Sequence, residues 1–160
     1  MRQKKRIVAG IAVMAVVLIL LGCAPANQSQ AAGKSGSSGT PITIFKSSGC
    51  GCCGVYSQYM EKQGFDVNVV DVGNLDDTKR KFNVPSKLQS CHTSEIGGYF
   101  VEGHIPTEAI TKLLAEKPDI AGIALAGMPS GSPGMPGRKT GTWIVYAVNH
   151  DGSSAEFMRI

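Results

Sequence analysis

Acidic residues are absent from positions 1–22, which hold Arg2, Lys4, Lys5 and Arg6, four of the sixteen Lys and Arg in the chain. Beyond them twelve basic residues face twelve acidic ones, so the formal charge of +4 belongs entirely to the N-terminus. No basic patch remains for nucleic acid, and that class of function is set aside. Also missing is an apolar run of the roughly 20 residues that a membrane-spanning helix needs. The apolar run near the start, Ile7 to Leu21, has fifteen residues and no charge. Positions 24–40 hold no large apolar side chain, only Ala, Ser, Gly, Gln and Asn with one Pro and a few other polar residues. Such a stretch cannot repay the entropy of ordering. No internal repeat is present.

What the N-terminus does contain is a basic cluster, then an apolar run, then Leu20-Leu21-Gly22-Cys23. That order and that length describe an export signal. A small residue directly followed by cysteine, after two leucines, resembles the bacterial lipobox, whose cysteine is diacylated and becomes the mature N-terminus. The expected organisation is a lipoprotein signal peptide over 1–22, lipid attachment at Cys23, a lipid-anchored flexible tether over 23–40, and one domain over 41–160. A stretch of that size suits a single core. A signal cut elsewhere, or a short uncleaved anchor, would export the domain equally. The expected location is therefore the bacterial membrane surface, facing the periplasm or the cell exterior.

Cysteine is concentrated in one place. Ser47 to Gly54 holds Cys50, Cys52 and Cys53, three thiols in four positions, and with Cys23 lipidated the fourth free thiol is Cys91. Four thiols in an oxidising compartment allow three disulfide pairings. The apolar β-branched run Ile42 to Phe45 leads into the cluster, and a helix-compatible run, Val55 to Gln63 closed by Gly64, leads out. The thiols thus sit on a strand-to-helix turn. Unpaired backbone N–H groups and the positive end of the helix dipole there favour thiolate over thiol. A thiolate is both a nucleophile and a soft-metal ligand. Gly49, Gly51 and Gly54 remove Cβ clashes and let the turn fold tightly.

The coarse element order follows from patterning. A strand Ile42 to Lys46, a helix Val55 to Gln63 and a strand Val67 to Val72 read as a βαβ unit with parallel, adjacent strands. Asp76 or Asp77 can cap a helix to about Phe82, ended by Asn83-Val84-Pro85. Cys91 to Ile96 and Tyr99 to Glu102 flank the two-residue hairpin signal Gly97-Gly98, and Pro106 opens a helix reaching Glu116 before Pro118. This is the β-α-β-α-β-β-α order of a thioredoxin-like α/β fold, a mixed sheet with flanking helices. Trp143 to Val148, a turn at His150-Asp151-Gly152, and Ala155 to Arg159 add a C-terminal β-hairpin extension.

Several of these segments carry a family resemblance. Ile42 to Lys46 leading into Cys50-Gly51-Cys52-Cys53-Gly54, Val84-Pro85, Ser90-Cys91-His92-Thr93, Gly98-Tyr99, Glu102-Gly103-His104-Ile105-Pro106, and Gly127-Met128-Pro129 to Gly131-Ser132-Pro133-Gly134-Met135 together resemble the CopG copper-resistance family. The resemblance spans nearly the whole of 41–160. It implies an exported thioredoxin-like domain with copper held at Cys50, Cys52, Cys53 and Cys91. A lipid anchor is the less usual feature for such a protein.

The residues support a metal independently. Soft thiolates and thioethers select Cu(I), while a closed zinc site takes four Cys or His ligands. Zinc could use Cys50, Cys53, Cys91 and a histidine, but Cys91 has no C-x-x-C companion to complete a ribbon pair. Three thiols on one turn with a fourth nearby suit bridging thiolates and more than one copper ion. Among other donors, His104 precedes a helix start, and Met128 and Met135 lie in a Gly/Pro/Ser loop as thioether ligands or a lid. Strand alternation turns Cys91 and His92 to opposite faces unless a bulge intervenes, which places His92 behind the ligands or at the surface and leaves it a further candidate ligand only with such a bulge. Tyr56, Tyr59 and Met60 follow the spacing of a packed helix face, and Lys79, Arg80 and Lys81 that of a solvated one. The partners expected are copper ions, the membrane through Cys23, and other exported copper-handling proteins. The competing function is a thiol–disulfide oxidoreductase with Cys50 as nucleophile and Cys53 resolving. Cys52 and Cys91 count against it, because extra thiols invite wrong disulfides. A hybrid, in which the thiols bind copper and change its oxidation state, stays open.

Overall fold

The computed structural model describes residues 39–160. The signal segment over 1–22, Cys23 and nearly all of the tether lie outside the described residues. Among those described, no helix is long and apolar enough to cross a membrane.

The elements run β1 (Pro41–Lys46), α1 (Gly51–Lys62), β2 (Asp66–Asp71), α2 (Leu75–Lys81), a 3-10 turn (Ser86–Leu88), β3 (His92–Ile96), β4 (Tyr99–Glu102), α3 (Thr107–Glu116), β5 (Gly122–Ala124), β6 (Ile144–Val148) and β7 (Ser154–Arg159). The strands form one mixed sheet in the order β2-β1-β3-β4-β5-β6-β7. β1 and β2 are parallel neighbours, Ile42 opposite Val67 and Ile44 opposite Val69, as the βαβ reading requires. β3 and β4 form the hairpin, closed by Gly97 and Gly98 at φ 57° and 86°. Two consecutive positive φ values match the right-handed strand twist, and only glycine takes both cheaply. The fold is thioredoxin-like with a C-terminal sheet extension.

Alternation along the strands builds two cores. On one face Ile42, Ile44, Ile96, Val101 and Ile123 pack under Tyr56 and Met60 of α1 and Ile110 and Leu113 of α3. On the other, Phe100 and Ala124 meet Val84, Leu88 and Val148, with Phe82 at the edge. Neighbours such as Phe100 and Val101 serve opposite cores because strand side chains alternate with period two. Each fully buried aliphatic side chain contributes about 1.5–3 kcal/mol.

The structure departs from the patterning in four places. First, α1 starts at Gly51, not Val55, so Cys52 and Cys53 lie within its first turn and Cys50 at its N-cap. Glycine and cysteine are weak helix formers, and the helix is carried through them by packing of its C-terminal half. Second, α2 is capped by Asn74, whose side chain accepts the Asp76 N–H, rather than by Asp76 or Asp77. Third, Lys79 is 4% exposed rather than on a solvated face, because it reaches the carboxylate of Glu102. Fourth, the extension is more than a hairpin. β5, three fully buried residues, runs parallel to β4 and antiparallel to β6 and so joins the hairpin to the sheet.

Candidate metal centre

β1 ends at Lys46, and a turn closed by the Cys50 N–H on Ser47 O delivers the chain to the N-terminus of α1. Cys50 and Cys52 are partly exposed there, and Cys53 is buried. Cys50 and Cys53 are joined as a disulfide, while Cys52 and Cys91 are free. Cys91 arrives from across the sheet, in the bend just before β3. Its Sγ lies 3.5 Å from Cys53 Sγ and 3.9 Å from Cys52 Sγ, and Cys52 Sγ is 3.6 Å from Cys50 Sγ. All four sulfurs lie within 4.8 Å of one another.

Behind Cys91 stand two histidines. Cys91 Sγ is 2.9 Å from His104 Nε2 and 3.4 Å from His92 Nδ1, making a second convergent group, Cys91, His92 and His104. His104 Nδ1 is 2.6 Å from the carbonyl of Pro133, which can only accept, so Nδ1 carries the proton. Nε2 then keeps its lone pair toward Cys91 and accepts the thiol hydrogen. A ligand imidazole is ordinarily oriented in this way, by its other nitrogen donating to a carbonyl. His92 is fully buried, not at the surface. β3 begins at His92, which leaves Cys91 in an irregular bend free to turn its sulfur to the same side, so strand alternation does not separate the two. The Tyr56 ring lies against both imidazoles, at centroid distances of 4.5 Å from His92 and 5.5 Å from His104. Its hydroxyl donates to Ile105 O. Among the described residues His92 Nε2 is buried without a hydrogen-bond partner.

Electrostatically the pocket favours neutral groups. Burial pushes the Cys91 thiol up to about 12, with the charge of Cys52 and a hydrogen bond to it adding to the effect. Burial pulls His92 down to about 3, reinforced by His104 and Lys79, and burial also lowers His104. Neutral imidazoles offer lone pairs, and a protonated Cys91 must release its proton to become a ligand.

The loop carrying Met128 and Met135 closes over this corner. A Cβ on Gly134, at φ 83°, would stand 2.9 Å from Cys52 O and 2.8 Å from Tyr56 N, so the loop lies directly on the first turns of α1. Pro133 touches His104. Met135 is partly buried, whereas Met128 is 52% exposed and turns half its surface to solvent. The structure therefore brings together the four cysteines and both histidines and leaves Met128 outward.

Sequence reasoning missed the groups beneath the site. Glu102, fully buried, accepts from Lys79 Nζ, from the Ser90 N–H at 2.6 Å and from Thr93 Oγ1 at 2.6 Å. Its signal was available: Glu102 falls two residues after Phe100 in an apolar strand, hence on the same inner face.

The donor set passes a simple metal test. Four ligands about 2.3 Å from one ion in a tetrahedron stand ~3.8 Å apart. The recorded sulfur separations of 3.5, 3.6 and 3.9 Å surround that value. Reduction of the Cys50–Cys53 disulfide would make all four sulfurs available.

Fold and site together define a class: a thioredoxin-like domain with a thiol cluster at a helix N-terminus, capped by an extension of its own chain. Residues 88–135 match a family model described as a protein of unknown function, DUF411. Two solved structures, titled copper resistance protein copG in Form 1 and Form 2, each share 34% sequence identity with the chain. Each alignment covers 76% of this chain and 98% of that one, with a TM-score of 0.71. No curated protein matches. The chain belongs to the CopG copper-resistance family.

Proposed function

We propose that this chain is an exported, lipid-anchored copper-binding protein of copper resistance, holding Cu(I) through Cys50, Cys52, Cys53 and Cys91. The observation that carries the reading is the convergence of four sulfurs within 4.8 Å of one another, one of them 2.9 Å from His104 Nε2. His104, and behind it His92, extend the donor set, and the half-buried Met135 on the covering loop is a further candidate ligand. Thiolate sulfur is the donor that Cu(I) prefers, and the crowding of Cys52 between Cys50 and Cys53 suits sulfurs shared between ions. The names of the structural relatives support copper over zinc, which the same donors could also hold. Cys23 would tether the domain to the membrane, where other exported copper-handling proteins could exchange ions with it.

A redox role is a second reading, favoured by the Cys50–Cys53 disulfide. Both thiols lose their protons to solvent and two electrons leave as the S–S bond forms. Those electrons can reduce two Cu(II) ions to Cu(I), which Cys52, Cys91 and the histidines remain to receive. With a disulfide substrate in place of Cu(II), the same pair would act as a thiol–disulfide oxidoreductase.

The test is elemental analysis of anaerobically purified, reduced protein, beside a free-thiol count. Copper at one or more ions per chain, displaced by thiol alkylation, supports the reading. Stoichiometric zinc, or no retained metal with robust disulfide reductase activity, would overturn it.

A further inference from the structure

Cys52 and Cys53 lie in the first turn of α1 and Cys50 stands at its N-cap, whereas Cys91 adjoins no helix end. It sits in the bend between the 3-10 turn and β3, yet its sulfur must meet three others and an imidazole within a few tenths of an ångström. Something has to fix that bend. The residues on either side of Cys91–His92 are gripped by a single carboxylate, one through its backbone N–H and the other through its side-chain hydroxyl. Glu102 Oε1 accepts the N–H of Ser90, immediately before Cys91, at 2.6 Å. Glu102 Oε2 accepts the hydroxyl of Thr93, immediately after His92, also at 2.6 Å. Glu102 itself ends β4 directly before Gly103 and His104, the chain that brings the imidazole to Cys91. A further bond, Gly103 N–H to His92 O at 3.0 Å, ties the two segments together.

The carboxylate is sealed from water and neutralised. Glu102 is 0% exposed and Lys79, its ion-pair partner from α2, is 4% exposed. Lys79 Nζ also reaches Thr93 Oγ1 at 3.3 Å, so that hydroxyl accepts from the ammonium while it donates to the carboxylate. The ion pair lies on the face of the sheet opposite the histidines, under the cluster and not in it. Burying two charges is costly, and well-packed apolar side chains usually serve stability at least as well. A buried pair whose acceptors point at the two ends of one metal-site bend therefore calls for a reason other than stability.

We infer that Glu102 is a positioning residue for the copper site, its buried carboxylate clamping Ser90 and Thr93 so that Cys91 Sγ is held against Cys53 and His104. The inference rests on the reading of Cys91 as a copper ligand. Partners of this kind, one shell out from a metal, change its affinity by roughly 10- to 100-fold when removed.

Removing Glu102 alone would strand a buried Lys79 and unfold the protein for an unrelated reason. The test therefore compares two charge-free pairs in the full chain. Lys79→Met with Glu102→Gln keeps an acceptor for the Ser90 N–H, and Lys79→Met with Glu102→Leu removes it. Cu(I) affinity is read by competition with a chromophoric Cu(I) chelator. The second readout uses metal-free protein: the iodoacetamide alkylation rate of Cys91 relative to Cys52, resolved by peptide mass spectrometry. The Leu pair is expected to lose about tenfold or more in Cu(I) affinity and to change the Cys91-to-Cys52 ratio severalfold, with the Gln pair rescuing both to within about threefold. Equal values for the two pairs in both readouts would overturn the inference. Should the Leu pair fail to fold, Thr93→Val removes one arm of the clamp at nearly constant volume. A shift of the alkylation ratio in the same direction supports the clamp, and an unchanged ratio refutes it. If the wild-type protein binds no copper, the proposed function fails while the alkylation comparison still decides whether Glu102 positions Cys91.

Discussion

Gly134 offers a direct probe of the covering loop. At φ 83° it adopts a backbone that side chains rarely take, and an added Cβ would stand 2.8 Å from Tyr56 N and 2.9 Å from Cys52 O. Both obstacles are backbone atoms in the first turns of α1 and cannot swing aside. Gly134→Ala therefore carries two costs. The positive φ contributes ~1 kcal/mol. The overlap contributes a further ~1–3 kcal/mol, the usual penalty for overfilling a packed site. Gly141 separates the two, because its φ is 86° and nothing lies within 4 Å of its Cβ position. Gly141→Ala should show only the first cost. Melting temperatures of the metal-free protein are expected to fall by ~4 °C for Gly141→Ala and by ~10 °C for Gly134→Ala, at about 4 °C per kcal/mol for a domain of this size. Displacing the loop should also release Pro133 O from His104 Nδ1 and so weaken Cu(I) binding in the Gly134 variant alone. Equal melting shifts, with Cu(I) affinity unchanged in both, would refute the seating of the loop on α1.

Cys23→Ala should move the chain from the membrane to the soluble fraction with its copper content intact, and unchanged membrane association would end the lipobox reading. Cys52→Ser should lower copper bound per chain while leaving insulin disulfide reduction by Cys50 and Cys53 untouched or improved. A full copper complement in that variant would remove Cys52 from the site. The pH dependence follows from His92, whose folded pKa of about 3 lies below its ordinary 6.5. A depressed pKa means that this contribution is fully present above about pH 6.5 and is lost as the pH falls toward 3, where the unfolded chain takes up the proton first. The urea midpoint of metal-free protein should fall more steeply across that window in wild type than in His92→Phe, and parallel profiles would contradict the buried neutral imidazole.

What could be read from sequence was local or combinatorial. Gly64 ending α1 and Gly97-Gly98 closing the hairpin are turn chemistry confined to a few residues, and both stand as expected. The meeting of Cys91 with the Cys50 turn followed from the strand order alone, since β1 and β3 are neighbours, Lys46 opposite His92. The misses share a cause, which is dependence on distant partners. Lys79 looks solvent-facing beside Arg80 and Lys81, and only Glu102, 23 residues on, makes it buried. β5 is three residues long and owes its strand form to β4 and β6 on either side. Of the two positions expected for His92, behind the ligands and at the surface, the structure takes the first, because β3 begins at His92 and alternation does not reach back to Cys91. The C-x-x-C spacing of Cys50 and Cys53 singles out the pair that forms the disulfide, and the extra thiols Cys52 and Cys91 are what weigh against that pairing in the sequence.

Cys91→Ala tests the account most directly, because Cys91 comes from the opposite end of the site and belongs to both convergent groups. Copper per chain and the copper-induced rise in melting temperature are measured together on anaerobically reduced protein, wild type beside variant. Metal binding by a site absent from the unfolded chain is folding free energy, so losing a ligand must reduce both quantities. A bystander thiol would alter only the metal-free stability, through a small cavity. The variant is expected to bind less copper and to gain a smaller melting shift. Wild-type stoichiometry with a wild-type shift would contradict the four-cysteine site.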